Sequence, residues 1–274
     1  MSIKYIRIAS DTHLEQFYGR NVASLVVDIL PTDNRDSESV LVLAGDISSK
    51  PNQLVEFIHG VESRFARVVY VNGNHEPYRQ DIKIWEKNTR DLMELHLKNT
   101  SYALNEVKCE QIDGVRFIFS TMWADGGRDS TEMDLVECSL NDFRVIAKDG
   151  TIFTVADMQS MHRSMRADIE TFLKDTSSGM KNVVVTHHMP SYRLCHPRFG
   201  DYINGGVAAN CDAILSSDYA PALWINGHTH DRISTKLWNT RIECNPSGYR
   251  GEYNNGYSST GPVFIDISTL EVHV

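Results

Sequence analysis

The residues of this sequence that are best suited to chemistry are Asp, Asn and His side chains that directly follow short apolar runs. Imidazole nitrogens and carboxylate or amide oxygens bind first-row divalent metals such as Mn, Fe, Zn and Ni, whereas soft thiolate sites need cysteines. We predict that seven of these side chains form one metal centre: Asp11, His13, Asp46, Asn74, His187, His228 and His230.

A centre with two metal ions would use these donors in a specific way. Asp46 can bridge two ions because a carboxylate has two oxygens, and Asn74 offers a neutral amide oxygen. In such centres the ions lie roughly 3.5–4 Å apart and stabilise both the attacking and the leaving oxygen. A hydroxide held between the ions could attack a phosphorus atom in line, so the protein needs mainly to position the phosphoryl group and neutralise its charge.

Five apolar runs must bring these donors together. The runs are rich in Val and Ile, which is typical of buried strands that are covered on both faces. In open α/β sheets, ligands bind beyond the carboxyl ends of the strands, so neighbouring strands would gather their donors at one edge. One histidine at a strand end is usually structural, but five polar strand ends in one chain are hard to attribute to chance. The runs are residues 6–10, 40–44, 68–71, 183–185 and 222–225.

Three stretches have the apolar spacing of helices, at residues 53–60, 82–98 and 154–174. The last is the clearest, because Thr154 and Asp157 make a capping-box-like start before apolar residues at helical spacing. Helical stretches among buried strands indicate an α/β fold.

The rest of the chain indicates strands of another kind. Residues 111–122 predict a strand that is entered through a turn at Asp113-Gly114. Residues 232–274 contain three short strand candidates, separated at Asn239-Thr240 and by a loop over residues 245–261. The tail is therefore mixed and partly antiparallel, and a sandwich of two sheets with helices outside accommodates both halves.

The composition limits the class of partner. The chain has 274 residues, of which 41% are hydrophobic, so a large core can form, and we expect residues 1–274 to be one domain. The formal net charge is −9 and no basic stripe is visible. A protein that grips long nucleic acid usually carries such a stripe, so a nucleic-acid polymer is a disfavoured partner. Bound divalent cations could supply the positive charge that the composition lacks.

Cysteine usage and the N-terminal sequence favour a reducing cytoplasm. The five cysteines are odd in number and widely spaced, without a Cys-x-x-Cys pair, which argues against a disulfide scaffold or a zinc finger. Lys4 and Arg7 interrupt the first apolar stretch, so no signal peptide is evident. No run approaches the length of a membrane span, and we expect a cytoplasmic protein without a membrane partner.

The order of the donor motifs resembles that of the calcineurin-like metallophosphoesterase superfamily. Each motif is weak alone, but five motifs in the right order over residues 11–230 are specific. They are Asp11-Thr12-His13, Gly45-Asp46, Gly73-Asn74-His75-Glu76, His187 and Gly227-His228-Thr229-His230. Further motifs are similar to a stand-alone bacterial and phage branch of that superfamily: Leu140-Asn141-Asp142-Phe143-Arg144, His196-Pro197-Arg198-Phe199, Pro221-Ala222-Leu223-Trp224 and Asn245-Pro246-Ser247-Gly248-Tyr249.

The resemblance implies a four-layer α/β/β/α sandwich of two mixed sheets, and two sets of metal ligands that share Asp46. The first set is Asp11, His13, Asp46 and His230, and the second is Asp46, Asn74, His187 and His228. It also implies that His75 protonates the leaving group or steadies the phosphate. We expect two divalent ions, with Mn²⁺ as the first choice and Fe, Zn or Ni as alternatives.

The roles of several other polar residues stay open. The family pattern favours His187 over His188 as the ligand, which leaves His188 to contact the substrate or to support a ligand. Arg144 and Arg198 could clamp phosphate, because a guanidinium matches phosphate in a bidentate way, or they could form ordinary ion pairs. Tyr78, just after the histidine motif, could stack on a substrate or simply pack in its loop.

Substrate selectivity is expected from residues 189–209, which begin beside the metal ligands. Aromatic and basic side chains in this segment, including Arg198 and Tyr202, could contact a ring and a phosphate. The alternative is a surface crossover without substrate contact. Residues 203–207 are richer in glycine than the resemblance leads us to expect, which bears on the shape of the pocket.

The sequence thus predicts metal-dependent hydrolysis of phosphomonoesters or phosphodiesters by a metal-bound hydroxide, on a small soluble substrate. A protein Ser/Thr phosphatase would need an open surface groove, and a nuclease is disfavoured by the negative charge. The alternative from another class is a non-catalytic metal-binding interaction module, against which the complete ligand set and His75 argue. Neither the substrate nor the oligomeric state follows from the sequence.

Overall fold

Strands and helices alternate through much of the chain and give way to a strand-rich tail, in a computed structural model that describes residues 3–252 and 262–273. The strands are β1 (Tyr5–Ala9), β2 (Ser39–Ala44), β3 (Arg67–Val71), β4 (Thr100–Ala103), β5 (Lys108–Ile112), β6 (Val115–Phe119), β7 (Ala147–Lys148), β8 (Thr151–Ile152), β9 (Lys181–Val185), β10 (Leu223–Asn226), β11 (Ile233–Leu237), β12 (Thr240–Cys244), β13 (Phe264–Asp266) and β14 (Val272–His273). The α-helices are α1 (Val22–Ile29), α2 (Pro51–Glu62), α3 (Ile82–His96), α4 (Ser130–Ser139), α5 (Asp142–Val145), α6 (Val155–Lys174), α7 (Asn204–Val207) and α8 (Asp212–Leu215).

Two six-stranded mixed sheets form the framework. The first has the strand order β14-β13-β1-β2-β3-β4, in which β1 to β4 are parallel and β13 and β14 are antiparallel additions. The second has the order β11-β12-β10-β9-β6-β5, in which the four central strands are parallel and β11 and β5 are antiparallel edges. Strands β7 and β8 form a separate hairpin.

The apolar side chains of the sheets show how the layers stack. Successive residues of a strand point to opposite faces, so Val40 and Val42 of β2 pack between the two sheets, whereas Leu41 and Leu43 pack against α1, α2 and α3. In the second sheet, Val184 packs outwards with α6 and α8. The order of layers is helix, sheet, sheet, helix, which confirms the predicted four-layer α/β/β/α sandwich of two mixed sheets.

Helix α6 begins where its capping residues predict. The Asp157 N–H donates to Oγ1 of Thr154 at 3.2 Å, and the Thr154 N–H donates to Oδ2 of Asp157 at 3.1 Å. Two N–H groups that lack partners inside the helix are thereby satisfied. Met158, Met165 and Ile169 lie on its buried face, at the predicted helical spacing.

Most other predicted elements are confirmed: α2 and α3 cover the two earlier helical stretches, and β1, β2, β3, β9 and β10 cover the five apolar runs. The turn predicted at Asp113-Gly114 is confirmed, since these residues have φ of 46° and 84° and join β5 to β6. The strand predicted over residues 111–122 is shorter than expected, because β6 covers only Val115–Phe119 and residues before the turn belong to β5. The tail contains four strands in its described part instead of three. Of the predicted loop over residues 245–261, residues 253–261 lie outside the described residues.

One further property concerns membranes. Within residues 3–252 and 262–273, no helix has both the length and the apolar character needed to cross a bilayer.

Candidate metal centre

The carboxyl ends of β1, β2, β3, β9 and β10 meet at one edge of the sandwich, and hydrogen bonds join the loops that follow them. The Asp11 N–H donates to the Gly45 carbonyl at 2.9 Å, and the Gly227 N–H donates to the His187 carbonyl at 2.9 Å. The His228 N–H donates to Oδ1 of Asp11 at 2.9 Å and so connects the two sheets. The strand ends therefore place side chains from both sheets around one point.

One group of donors joins the ends of β1 and β10. Nε2 of His13 lies 3.0 Å from Nε2 of His230, and Nε2 of His230 lies 3.6 Å from Oδ1 of Asp11. All three residues are buried, and their possible ligand atoms lie within 4.8 Å of one another. Two neutral imidazoles cannot face each other through lone pairs at this distance, so a proton or a cation must lie between them.

A second group joins the ends of β3, β9 and β10. Oδ1 of Asn74 lies 3.0 Å from Nε2 of His187 and 3.1 Å from Nδ1 of His228. The same two nitrogens lie 3.2 Å apart. Oδ2 of Asp46 lies 3.4 Å from Nε2 of His187 and 3.9 Å from Nε2 of His13. Asp46 therefore faces both groups with one carboxylate.

The outer nitrogens of two of these histidines already have partners, which orients the rings. Nδ1 of His187 donates to the Ala44 carbonyl at 2.8 Å, so Nε2 is the nitrogen that faces the second group, where it can hold a proton or a cation. Nδ1 of His230 lies 2.6 Å from Oε2 of Glu252. Metal-binding imidazoles usually donate their other N–H to a carbonyl or a carboxylate in this way, so the donor set fits divalent ions. The geometry also favours His187 over His188 as the ligand.

Backbone conformation turns several donors inwards. Left-handed backbone is uncommon for residues other than glycine, and where it occurs it is concentrated at functional sites. Five of the seven predicted ligands adopt it: Asp11 (φ 54°), His13 (φ 44°), Asp46 (φ 54°), His228 (φ 82°) and His230 (φ 54°).

Two motif glycines allow the loops to approach one another closely. Gly45 has φ of 87°, and a Cβ at this position would lie 2.4 Å from Nδ1 of His187. A Cβ on Gly73 would lie 2.1 Å from Oδ1 of Asp46. A larger residue at either position would displace a predicted ligand, which is a physical reason for glycine in both motifs.

Glu76 fixes the loops after β2 and β3 relative to each other. Its buried carboxylate accepts hydrogen bonds from the backbone N–H groups of Asp46 at 3.1 Å, Ile47 at 2.9 Å and Gly73 at 2.8 Å, and from the Tyr70 hydroxyl at 3.1 Å. Burial raises the pKa of Glu76 well above its usual range, and the negative charge of Asp46 raises it further.

His75 lies next to both donor groups. Its backbone N–H donates to Oδ1 of Asp46 at 2.9 Å, and its ring stacks on Tyr78 with the centroids 4.0 Å apart. Nε2 of His75 lies 3.2 Å from the Tyr249 hydroxyl. Burial lowers the pKa of His75 to about 4, against the opposing effect of Asp46. A neutral His75 can donate a hydrogen bond to a phosphoryl oxygen, whereas protonation of a leaving group needs the imidazolium form.

Strong electrostatic coupling links Asp46 to its histidine neighbours. Burial opposes ionisation of Asp46, but His187 and His75 lower the pKa of this carboxyl well below its usual range. Burial likewise opposes protonation of His187, but Asp46 raises the pKa of this imidazole to about 10. A centre that holds a proton on a buried imidazole also attracts a divalent cation, which competes with that proton.

A cleft of about 480 Å³ opens over the donors, a volume typical of pockets for small molecules. Predicted ligands form its floor, and residues 139–142 at the corner between α4 and α5 form one wall. The described residues that line it are Asp46, Asn74, His75, Tyr78, Ser139, Leu140, Asn141, Asp142, Arg198, His228, Thr229, His230, Tyr249 and Glu252.

The structure brings only one of the two predicted phosphate clamps to this cleft. Arg198 lines it and pairs with Asp231 at 2.8 Å. Arg144 is not among the described lining residues, because its guanidinium donates to the backbone carbonyls of Cys138 and Leu140 and thereby holds α4 against α5.

The other two predicted substrate residues also lie apart from the described cleft lining. Tyr202 comes shortly after Arg198 in the sequence, but its side chain is 55% exposed and is not among the described residues that line the cleft. His188 is buried, and its ring centroid lies 4.3 Å from that of His228. Burial lowers the pKa of His188 well below its usual range, and His228 lowers it further, so the ring packs as a neutral support behind a predicted ligand.

Some cleft residues without a role predicted from the sequence hydrogen-bond to predicted site residues, namely Asp142 to Asn74, Tyr249 to His75 and Glu252 to His230. Oδ1 of Asp142 accepts hydrogen bonds from Nδ2 of Asn74 and from the Tyr78 hydroxyl, both at 2.8 Å. Burial raises the pKa of Asp142 to about 6. Asp142 and Tyr249 belong to the motifs of the narrower resemblance, which is the signal that could have identified them. Glu252 follows that motif and carries no such signal.

Residues 5–232 match the family model described as calcineurin-like phosphoesterase. The matched range contains every predicted metal ligand and His75. Among proteins with curated descriptions, none matches the chain.

Among solved structures, the chain is similar to phosphopantetheinyl hydrolase from Mycobacterium tuberculosis, with a TM-score of 0.67, 16% sequence identity, and coverage of 91% of this chain and 93% of that chain. At this identity the similarity shows the fold alone. A candidate 5′-nucleotidase from Staphylococcus aureus, solved in complex with alpha-ketoglutarate, has a TM-score of 0.49 and 15% identity, and the match covers 98% of this chain and 52% of that chain. The second similarity is too low to support an argument.

Proposed function

This chain belongs to the calcineurin-like phosphoesterase family and is a phosphoester hydrolase, and we propose that it cleaves small phosphomonoesters or phosphodiesters at a two-metal centre. The observation that carries the proposal is the position of Asp46 between two donor groups. Its carboxylate lies within 4.0 Å of nitrogens from His13, His75 and His187.

Two ligand sets follow from this arrangement. In the proposed centre, Asp11, His13 and His230 would hold one ion, Asn74, His187 and His228 would hold the other, and Asp46 would serve both. The donors are nitrogens and oxygens without thiolates, which suits Mn²⁺ and also admits Fe, Zn or Ni. When bound, such ions supply Lewis-acid charge and an activated water.

The protein side chains supply position and hydrogen bonds. The backbone N–H of His75 donates to Oδ1 of Asp46 at 2.9 Å, and this bond keeps the imidazole beside the centre. We propose that His75 contacts the phosphoryl group or the leaving oxygen, and that the Tyr249 hydroxyl, 3.2 Å from Nε2 of His75, lies on the same side of the substrate.

The cleft supports a small substrate. Its volume of about 480 Å³ is that of a pocket for a single small molecule, and a folded protein substrate would need an open groove. The net charge of −9 disfavours a long polyanion such as nucleic acid.

The test is a metal-dependent assay of the purified chain. Metal-free protein should be inactive on generic nitrophenyl monoesters and diesters, and Mn²⁺ should restore hydrolysis of at least one of them. His75→Ala and Asp46→Asn, prepared in parallel, control for a contaminating phosphatase. Activity that is equal in wild type and both variants, or that does not depend on divalent ions, would refute the proposal.

A further inference from the structure

Asp142 lies where it decides which end of the Asn74 amide faces the metal donors. Nδ2 of Asn74 donates to Oδ1 of Asp142 at 2.8 Å, while Oδ1 of Asn74 lies 3.0 Å from Nε2 of His187. An ionised carboxylate only accepts hydrogen bonds, so the amino end of the amide must face Asp142. The amide oxygen is thereby turned towards the histidine nitrogens.

The opposite orientation of the amide would disable this donor. Asn74 would then present an NH₂ group, which has no lone pair for a cation, and its oxygen would face the carboxylate of Asp142. Asp142 is only 2% exposed, so water does little to weaken the preference between the two orientations.

The same carboxylate oxygen is also connected to His75. Oδ1 of Asp142 accepts a hydrogen bond from the Tyr78 hydroxyl at 2.8 Å, and the Tyr78 ring stacks on His75. One carboxylate therefore contacts a predicted ligand directly and the predicted catalytic histidine through a single intermediate ring.

The backbone around Asp142 is fastened to the loop that carries His75. The Arg79 N–H donates to the Val145 carbonyl at 2.8 Å, and the Ala147 N–H donates to the Gln80 carbonyl at 3.0 Å. Both bonds lie at the C-terminal end of α5 and tie this helix to the chain that follows His75.

We infer that Asp142 is a positioning residue that selects the metal-binding orientation of Asn74 and, through Tyr78, holds His75 in place. The inference rests on the proposed two-metal function and deepens it. In this assignment, the corner between α4 and α5 positions a ligand of the second ion. Asp142 itself contacts neither the reacting atoms nor a metal ion in this assignment.

The experiment measures metal binding by the full-length chain. Metal-stripped wild type, Asp142→Ala and Asp142→Asn are titrated with Mn²⁺ by calorimetry. Loss of a group that orients a metal ligand typically weakens binding about 10- to 100-fold, and we expect this loss for one ion of Asp142→Ala while the other ion is bound as in wild type. Asp142→Asn keeps an acceptor oxygen without the charge and should lose less.

Two further variants sharpen the result. Asp134→Asn removes the same charge from the exposed face of the neighbouring helix α4, and both affinities should equal those of wild type. Tyr78→Phe keeps the ring on His75 but removes the hydroxyl, so both affinities should be retained while kcat falls more than KM changes. A loss of affinity in Asp134→Asn or Tyr78→Phe equal to that of Asp142→Ala would overturn the inference.

Failure of the inference and failure of the proposed function give different results. Wild type that binds two ions together with a folded Asp142→Ala that binds both equally well overturns the positioning role alone. Wild type that binds no divalent ion overturns the proposed function and the inference with it. If circular dichroism shows that Asp142→Ala is unfolded, Asp142→Asn decides by the same criterion.

Discussion

Nε2 of His13 and Nε2 of His230 face each other at 3.0 Å, although 217 positions separate the two residues in the sequence. The first follows β1 in one sheet and the second follows β10 in the other. Folding therefore brings together two imidazole nitrogens that need a proton or a cation between their lone pairs. A divalent cation meets that need better than a proton does, because it can also use Asp11 and Asp46.

The first prediction concerns how many ions the centre holds. Asp46 faces both donor groups, whereas Asp11 lies within reach of the first group only. Elemental analysis of the loaded protein should give close to two transition-metal ions per chain for wild type and close to one for Asp11→Asn. Asp46→Asn should weaken both sites and abolish activity. A fully active wild type with at most one ion would contradict the two-metal centre.

The second prediction separates the two roles of His75. If His75 protonates the leaving group, His75→Ala should lower kcat roughly 10²- to 10⁴-fold on an alkyl phosphate ester and much less on a nitrophenyl ester, whose leaving group needs little protonation. Equal losses on both esters would instead indicate a hydrogen bond to the phosphoryl group. Because His75 is not assigned as a ligand, metal content should stay at the wild-type value.

The third prediction concerns stability and lies away from the centre. Asp36 is buried and accepts hydrogen bonds from Arg7 and from Arg64, each at 2.6 Å. Asp36→Asn removes the negative charge that lies 2.6 Å from the buried guanidinium of Arg7, which should cost about 3–5 kcal/mol in the free energy of unfolding.

Chemical denaturation measures this effect, with Asp91→Asn as the matched control. Asp91 forms an ion pair with Lys87 on the exposed face of α3, where solvent screens the charges, so the midpoint should barely move. Equal shifts for the two variants would mean that burial does not govern the contribution of the Asp36 cluster.

The convergence of the predicted metal ligands could be inferred from sequence because the signal is local. Each predicted ligand lies within a few residues of the end of an apolar run, and the structure shows that these runs end at a common edge. The helices α1 and α4 were not predicted, because α1 is short and α4 has a weak apolar face with Val136 as its one fully buried residue. Their position depends on packing against the rest of the chain.

The residues that orient the ligands could not be predicted in the same way. Asp142 lies 68 positions from Asn74, and Glu252 lies 22 positions from His230. Neither pair has a fixed spacing that repeats in sequence, and each is formed only when a loop folds over the strand ends. A ligand set can therefore be recognised from motifs, whereas its supporting hydrogen bonds need coordinates.

Substrate selectivity was predicted for residues 189–209, and the structure divides that segment. Arg198 lines the cleft, with its guanidinium 3.0 Å from the Thr229 carbonyl and 2.8 Å from Asp231. Tyr202 is not among the described residues that line the cleft. The two residues thus provide a test and a control from one stretch of chain.

The last prediction is that Arg198→Ala raises KM for a substrate that fills the cleft and changes its kcat little. Contacts remote from the reacting phosphorus bind the substrate and the transition state equally, so their loss appears in KM. If Arg198 binds the part of the substrate beyond the reacting phosphorus, turnover of a minimal ester such as methyl phosphate should be unaffected, whereas a phosphate clamp would lower the turnover of both esters. Tyr202→Ala should change neither substrate. Steady-state kinetics on both esters tests this prediction. An unchanged KM of Arg198→Ala for the larger ester would contradict it and would point to the cleft wall at residues 139–142 as the source of selectivity.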